Sequence, residues 1–332
     1  MNAYAIWITQ FTEKQLTKRK MRIAQDKVEK SKKKTIKKEV LSWVDAIVFA
    51  VIFVLLINQF LFQLFMIPTP SMVDTLLVKD RVYVSKTSYG VELYPTGPKL
   101  FSSITPLRDD VIVFYNPQYT SRGPLFDILS QILYMGTFSL LNIDKDENGN
   151  PRERLYVKRA AAMSGDVVQF RNGTSFIKGI GQSEFKSDSE FRSINNLSNA
   201  PTQTINPDLY SGFKAYGTLL GYQDLNLSNL SPSVVVQEYQ SVANYQGLVD
   251  YYEVNKARAT SIHEINPFDI TSRSEKSVYD VGIYVPLGYT LPCGDNRDNS
   301  QDGRYFGPVK NSSIIGKVKF TFWPFSSIKI VK

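Results

Sequence analysis

Met66-Ile67-Pro68-Thr69-Pro70-Ser71-Met72 follows directly on a long uncharged segment, and its reading decides how the rest of the chain is divided. Each proline fixes its own φ and biases the residue before it toward extended backbone, so the stretch is a rigid loop with a serine at its end. Ser71 keeps its own backbone N–H. A nucleophile's amide and a nearby hydroxyl such as that of Thr69 can together hold an oxyanion. Alone, Pro-Thr-Pro-Ser is more often an ordinary linker after a helix.

Upstream, no residue from Ala46 to Ile67 is charged, and the strongly polar side chains there are Asn58, Gln59 and Gln63. As a helix this segment would be about 33 Å long, enough for a bilayer core. A cleaved signal peptide is the first rival, but no small-x-small site follows and Met66-Ile67-Pro68 is a poor place to cut. A buried core helix is the second. Residues 1–39 carry 12 Lys and Arg against four acids, while the remaining 293 carry 27 of each sign. The net charge of +8 therefore belongs to the tail. Such a tail before an apolar span predicts a cytoplasmic N-terminus in contact with anionic lipid, and everything after Ile67 on the far side of the membrane. It argues against nucleic acid as a partner. One cysteine, Cys293, and one histidine, His263, exclude an internal disulfide and any multi-Cys or multi-His metal site. Cys293 reads as a small buried residue and His263 as a surface residue.

Downstream, short apolar runs are separated by turn residues. Strands are expected within 77–85, 110–115, 155–160 and 166–170, which points to an antiparallel β domain. Two insertions break it. Residues 117–150 contain an apolar piece, Leu125–Leu141, expected to form a helix on the domain or bilayer surface. Residues 171–280 show neither clear periodicity nor repeat. The expected fold is mainly β: a basic cytoplasmic tail over 1–40, a transmembrane anchor over 41–67, and an extracytoplasmic domain over 68–332 carrying both insertions.

A hydrolytic serine needs a base, and His263 sits in the least patterned part of the chain. Lys158 lies instead in an apolar strand, where alternation puts Tyr156, Lys158 and Ala160 on one face with Val157 and Arg159 on the other. Burial there favours the neutral amine a lysine base must be. The bland reading is a lysine that snorkels to the surface.

Four stretches resemble, in order, the motifs of bacterial type I signal peptidases, membrane-anchored Ser/Lys proteases. They are Pro68-Thr69-Pro70-Ser71-Met72-Val73-Asp74-Thr75-Leu76, then Arg108-Asp109-Asp110-Val111-Ile112-Val113-Phe114. Tyr156-Val157-Lys158-Arg159 with Ser164-Gly165-Asp166 comes third, and Gly294-Asp295-Asn296-Arg297-Asp298-Asn299-Ser300-Gln301-Asp302-Gly303-Arg304 fourth. The resemblance covers roughly 41–116, 153–171 and 283–332. It implies Ser71 as nucleophile, Lys158 as base, and Thr69 with the Ser71 amide as oxyanion donors. Ser300 would orient the lysine amine and Tyr156 pack near it, while Asp295, Arg159, Asp302 and Arg304 brace the site by ion pairing. Ile67, Pro68, Val157 and Leu76 would line apolar pockets for small residues at −1 and −3 of a leader. No cofactor is implied; the partners would be signal peptides of exported preproteins, the bilayer and, as a candidate, the secretion machinery. Asp74, Asp109 and Gly303 depart from the family's usual Pro, Gly and Ser. The rivals are a Ser/Lys peptidase dedicated to one partner and a non-catalytic membrane-anchored binding protein, for which the long insertion is the best argument.

Overall fold

The computed structural model describes residues 3–32, 36–101, 104–137, 141–197 and 203–331. It divides into two units, 1–55 and 56–332. The first holds α1 (Ala3–Lys32) and most of α2 (Ile36–Phe60). Within α2, the 20 residues Leu41–Phe60 are long and apolar enough to cross a membrane. Trp43, Ile47, Phe49 and Phe53 all stand exposed.

In the second unit the strands are β1 (Phe62–Met66), β2 (Arg81–Ser85), β3 (Val91–Glu92), β4 (Lys99–Leu100), β5 (Val111–Tyr115), β6 (Leu155–Met163) and β7 (Val167–Arg171). They continue with β8 (Thr174–Lys178), β9 (Lys186–Ser187), β10 (Ile283–Tyr284), β11 (Tyr289–Cys293), β12 (Val309–Lys310), β13 (Ile314–Trp323) and β14 (Lys329–Ile330). The large sheet is antiparallel, in the order β1-β2-β13-β5-β6-β11-β12, with β14 on β13, and it curls into a half-barrel. β5 is apolar throughout because both its faces are covered. Val111 and Val113 pack with Met72, Leu76, Val82 and Val84, while Ile112 and Phe114 pack with Ala160 and Ile314.

The anchor expected to reach Ile67 ends as a helix at Phe60, and the next residues become β1. The reason is the ladder to β2, in register from Phe62 opposite Ser85 to Met66 opposite Arg81. Phe62 packs on Tyr83 and Tyr83 on Phe320, each pair of rings 4.8 Å apart. An uncharged apolar run carries no sign of where helix gives way to strand.

The expectation of a mainly β chain is also corrected, since helices make up 45% of it. In the first insertion, α3 (Pro124–Gly136) realises the expected helix as far as Gly136, while 138–140 of that expectation lie outside the described residues. The second insertion contributes α4 (Asp188–Ile194), α5 (Tyr210–Asp224), α6 (Ser233–Tyr239), α7 (Tyr251–Ile265) and α8 (Ile270–Val281). α5 packs on α7 through glycine: a Cβ at Gly217 would stand 2.1 Å from the Val254 carbonyl oxygen, and one at Gly221 2.0 Å from Ser261 Oγ. Tyr210, Phe213, Tyr216 and Leu220 of α5 cluster with Val254 of α7, but the glycines among them weaken the apolar stripe a reader of the sequence would look for. A usable signal was capping, as Asp250 accepts from the Tyr252 and Glu253 amides and Asp269 from that of Ser272. His263, expected at the surface, lies half-buried in α7, whereas Cys293 is buried as expected. A last short helix, α9 (Gly303–Phe306), precedes β12.

Candidate active site

The Pro68–Met72 loop closes as a single tight turn over Pro70–Met72, entered from extended Thr69 (φ −127°, ψ 155°). It is held from both sides. Ile67 N–H donates to the Asp80 carbonyl (2.9 Å) and Lys79 N–H to that of Ile67 (2.8 Å). From the loop after β11, the Asn296 amide donates to the Ser71 carbonyl (3.1 Å) and its side chain to that of Pro70 (3.2 Å). Sequence reasoning did not single out Asn296, although it lies inside the last motif.

β6 brings Lys158 to this turn, its Nζ 2.6 Å from Ser71 Oγ. Both residues are buried, Lys158 to 4% exposure. Burial lowers the Lys158 pKa from the ordinary lysine value to about 8, against the pull of Asp302 and with the help of Arg304. Thr69 Oγ1 lies 3.4 Å from Ser71 Oγ. The Tyr156 ring centre is 5.7 Å from the amine, stacked on Phe306 and edge-on to Phe114.

The expected bond from Ser300 to the lysine amine is absent. Ser300 Oγ is buried without a hydrogen-bond partner among the described residues. Its neighbour is Gly294, where a Cβ would come within 2.2 Å of Ser300 Oγ and 2.6 Å of the Ser71 carbonyl oxygen. The glycine lets the two loops meet.

Beneath the site are two buried ion pairs. Arg159 Nε and Nη2 each donate to Asp295 at 2.7 Å, and Nη1 donates to the Asp109 carbonyl at 2.7 Å. Thr75, likewise not singled out by sequence, donates to Asp295 (2.5 Å) and ties this pair to the serine turn. Arg304 pairs with Asp302 (2.9 Å) and donates to the carbonyls of Arg297 (2.5 Å) and Ser300 (3.1 Å), which shapes the 297–302 loop. Asp302 also accepts from the Gly294 amide (2.8 Å). Asp109 adopts left-handed backbone (φ 69°), a region where aspartate is tolerated better than most residues, and its carboxylate takes a bidentate pair from Arg192 of α4 at 2.9 and 3.0 Å. At Gly303 a Cβ would press on the Pro292 carbonyl oxygen at 2.7 Å, so close packing rather than turn looseness explains the missing side chain.

A cleft of about 360 Å³ opens over Ser71 and Lys158, walled by Ile67, Pro68, Val157 and Tyr156, with Glu153, Asn299 and Gln301 as polar lining. Leu76 is not part of it. That side chain is fully buried in the core beside Met72 and Val82, because the turn after Met72 points it into the sheet.

The sequence profile of the family described as signal peptidase, peptidase S26, matches residues 40–323. Signal peptidase I of Buchnera aphidicola subsp. Acyrthosiphon pisum is 27% identical over 88% of this chain and 77% of its own length. Signal peptidase I of Helicobacter pylori is 25% identical over 86% and 81%, and signal peptidase IB of Staphylococcus aureus 23% identical over 89% and 95%. Since one profile runs unbroken through the Ser71 turn, the Lys158 strand and the loop that braces them, the chain belongs to the signal peptidase family, peptidase S26, and is a serine peptidase that removes signal peptides.

Proposed function

We propose that Ser71 and Lys158 form the catalytic dyad of a membrane-bound endopeptidase that cuts exported preproteins after small residues at −1 and −3 of the leader. The observation that carries this is the 2.6 Å approach of a buried lysine amine to Ser71 Oγ. An amine with a pKa of about 8 is neutral often enough near neutral pH to take the serine proton, which an ordinary lysine is not.

In this mechanism the neutral Lys158 amine accepts the Ser71 proton as Oγ attacks the carbonyl of the −1 residue. The oxyanion takes hydrogen bonds from the Ser71 N–H and the Thr69 hydroxyl. Collapse breaks the peptide bond, Lys158 returns its proton to the departing amine, and the leader stays esterified to Ser71. Lys158 then deprotonates a water that hydrolyses the ester and restores the hydroxyl. Ile67, Pro68 and Val157, which wall the cleft over Ser71, would receive the small leader side chains. The tail's positive charge supports a cytoplasmic N-terminus, with the peptidase unit on the outer side of the cytoplasmic membrane.

Two measurements test this. In a reporter preprotein, replacing alanine at −1 by leucine should abolish the cut, and unrelated Ala-x-Ala leaders should all be processed; cleavage of one leader alone would favour a dedicated peptidase. Thr69→Val should lower kcat by about 10²-fold with KM little changed, while Thr69→Ser keeps the donor and most of the rate. Equal rates for the valine and serine variants would remove Thr69 from the oxyanion site.

A further inference from the structure

A second cavity, of about 190 Å³, shares Leu155 as a wall with the Ser71 cleft but has a different character. Three cations line it: Lys86, Arg152 and Arg154. Lys86 is only 4% exposed, and burial holds its amine below the ordinary lysine range against the attraction of Glu92. Arg154 Nη2 is buried without a hydrogen bond among the described residues, with Asp127 Oδ2 3.4 Å away.

The acids nearby are already engaged. Asp144, also in the lining, accepts from Tyr119 Oη at 2.8 Å and lies 3.4 Å from Arg152; Glu92, whose charge acts on Lys86, accepts from Tyr115 Oη at 2.9 Å. Arg152 Nη2 donates to the Thr120 carbonyl at 2.9 Å, but a buried cationic donor left unsatisfied, as Arg154 Nη2 is, is costly, and an anion with several acceptor oxygens would satisfy it while sharing the charge of Lys86 and Arg152. Burial holds Lys86 at about 8, so it remains mostly charged at neutral pH.

The other walls say where such an anion would come from. Gln59 belongs to the last turn of Leu41–Phe60, the stretch long and apolar enough to cross a membrane. Ser130, Gln131 and Tyr134 come from α3, whose Leu125, Leu129 and Ile132 stand exposed. A basic pocket bordered by unpartnered apolar side chains fits a molecule with an anionic head and apolar tails.

We propose that this cavity binds a phosphate group, carried by the headgroup of an anionic phospholipid. Lys86, Arg152 and Arg154 would hold the phosphate oxygens, and the exposed leucines of α3 would lie against the acyl chains.

The test uses the full chain in a non-ionic maltoside detergent, with binding of dihexanoylphosphatidylglycerol and of inorganic phosphate each read by native mass spectrometry and by phosphorus NMR line broadening. The expected result is lipid binding at least tenfold tighter than that of inorganic phosphate, weakened tenfold or more in Lys86→Met and in Arg152→Gln. Both variants should still cleave a reporter preprotein in detergent, which establishes that they fold. Should Lys86→Met fail to fold, Arg152→Gln, whose side chain is partly exposed, decides alone. Inorganic phosphate binding as tightly as the lipid and displacing it would overturn the lipid source while keeping the phosphate site. Absence of binding by either probe, or equal binding by folded variants and wild type, would overturn the site itself.

Discussion

Lys158→Met is expected to reduce signal-peptide cleavage by at least about 10³-fold in kcat/KM, the scale on which serine hydrolases lose rate when the base is removed. Methionine fills the same volume without a proton acceptor, so Ser71 Oγ would keep its place and lose its activation. The same change should stabilise the fold at pH 7. A lysine whose pKa falls to about 8 is a charge held where water cannot solvate it, and replacing it with an apolar side chain recovers about 1–3 kcal/mol. Lower activity with a higher melting temperature separates a catalytic lysine from one that merely packs. The wild-type pH profile follows from the same amine. The base form is the neutral one, so kcat/KM should rise about tenfold per pH unit below pH 8 and level off above it. A rate that is flat from pH 6 to 9 would remove Lys158 as the base.

Asp295→Ala should destabilise the protein by about 3–5 kcal/mol, because Arg159, 1% exposed, is left as a buried charge without its carboxylate. In a chain of this size that corresponds to a drop of roughly 4–9 °C in the melting temperature, read by calorimetry in detergent. Activity should fall further than the folded fraction does, since Thr75 loses its acceptor and with it one brace of the Ser71 turn. The exposed Arg258–Asp224 pair is the control: Asp224→Ala should cost less than about 1 kcal/mol. Similar shifts for the two variants would mean that the Arg159 pair is not a structural keystone.

Much of the site is legible in the amino-acid sequence because its chemistry admits few side chains. Ser71 after a proline pair and Lys158 in an apolar strand are unusual placements, and the fold brings them to hydrogen-bonding distance. Thr75 and Asn296 are not legible in the same way, because their work is to tie one loop to another, which depends on partners more than 200 residues away. Resemblance assigns Ser300 to the lysine amine, yet its hydroxyl packs against Gly294. Leu76 follows the motif in sequence but points into the core. Strands with alternating or fully apolar character, such as β2 and β5, are legible from their pattern. The helices of the second insertion are not. Where α5 meets α7, Gly217 and Gly221 let the backbones approach beside Phe213 and Leu220, so the apolar periodicity that marks most helices is diluted there. The switch from α2 to β1 is hidden for the opposite reason, since uncharged apolar residues serve both and the pairing with β2 decides between them.

The most direct measurement is cleavage of a reporter preprotein with an Ala-x-Ala leader by the full chain in detergent, comparing wild type with Ser71→Ala and locating the cut by mass. A cut after the second alanine that disappears in the variant is the predicted result. Cleavage at the same bond by folded Ser71→Ala, or none by folded wild type, would contradict the dyad and the function built on it.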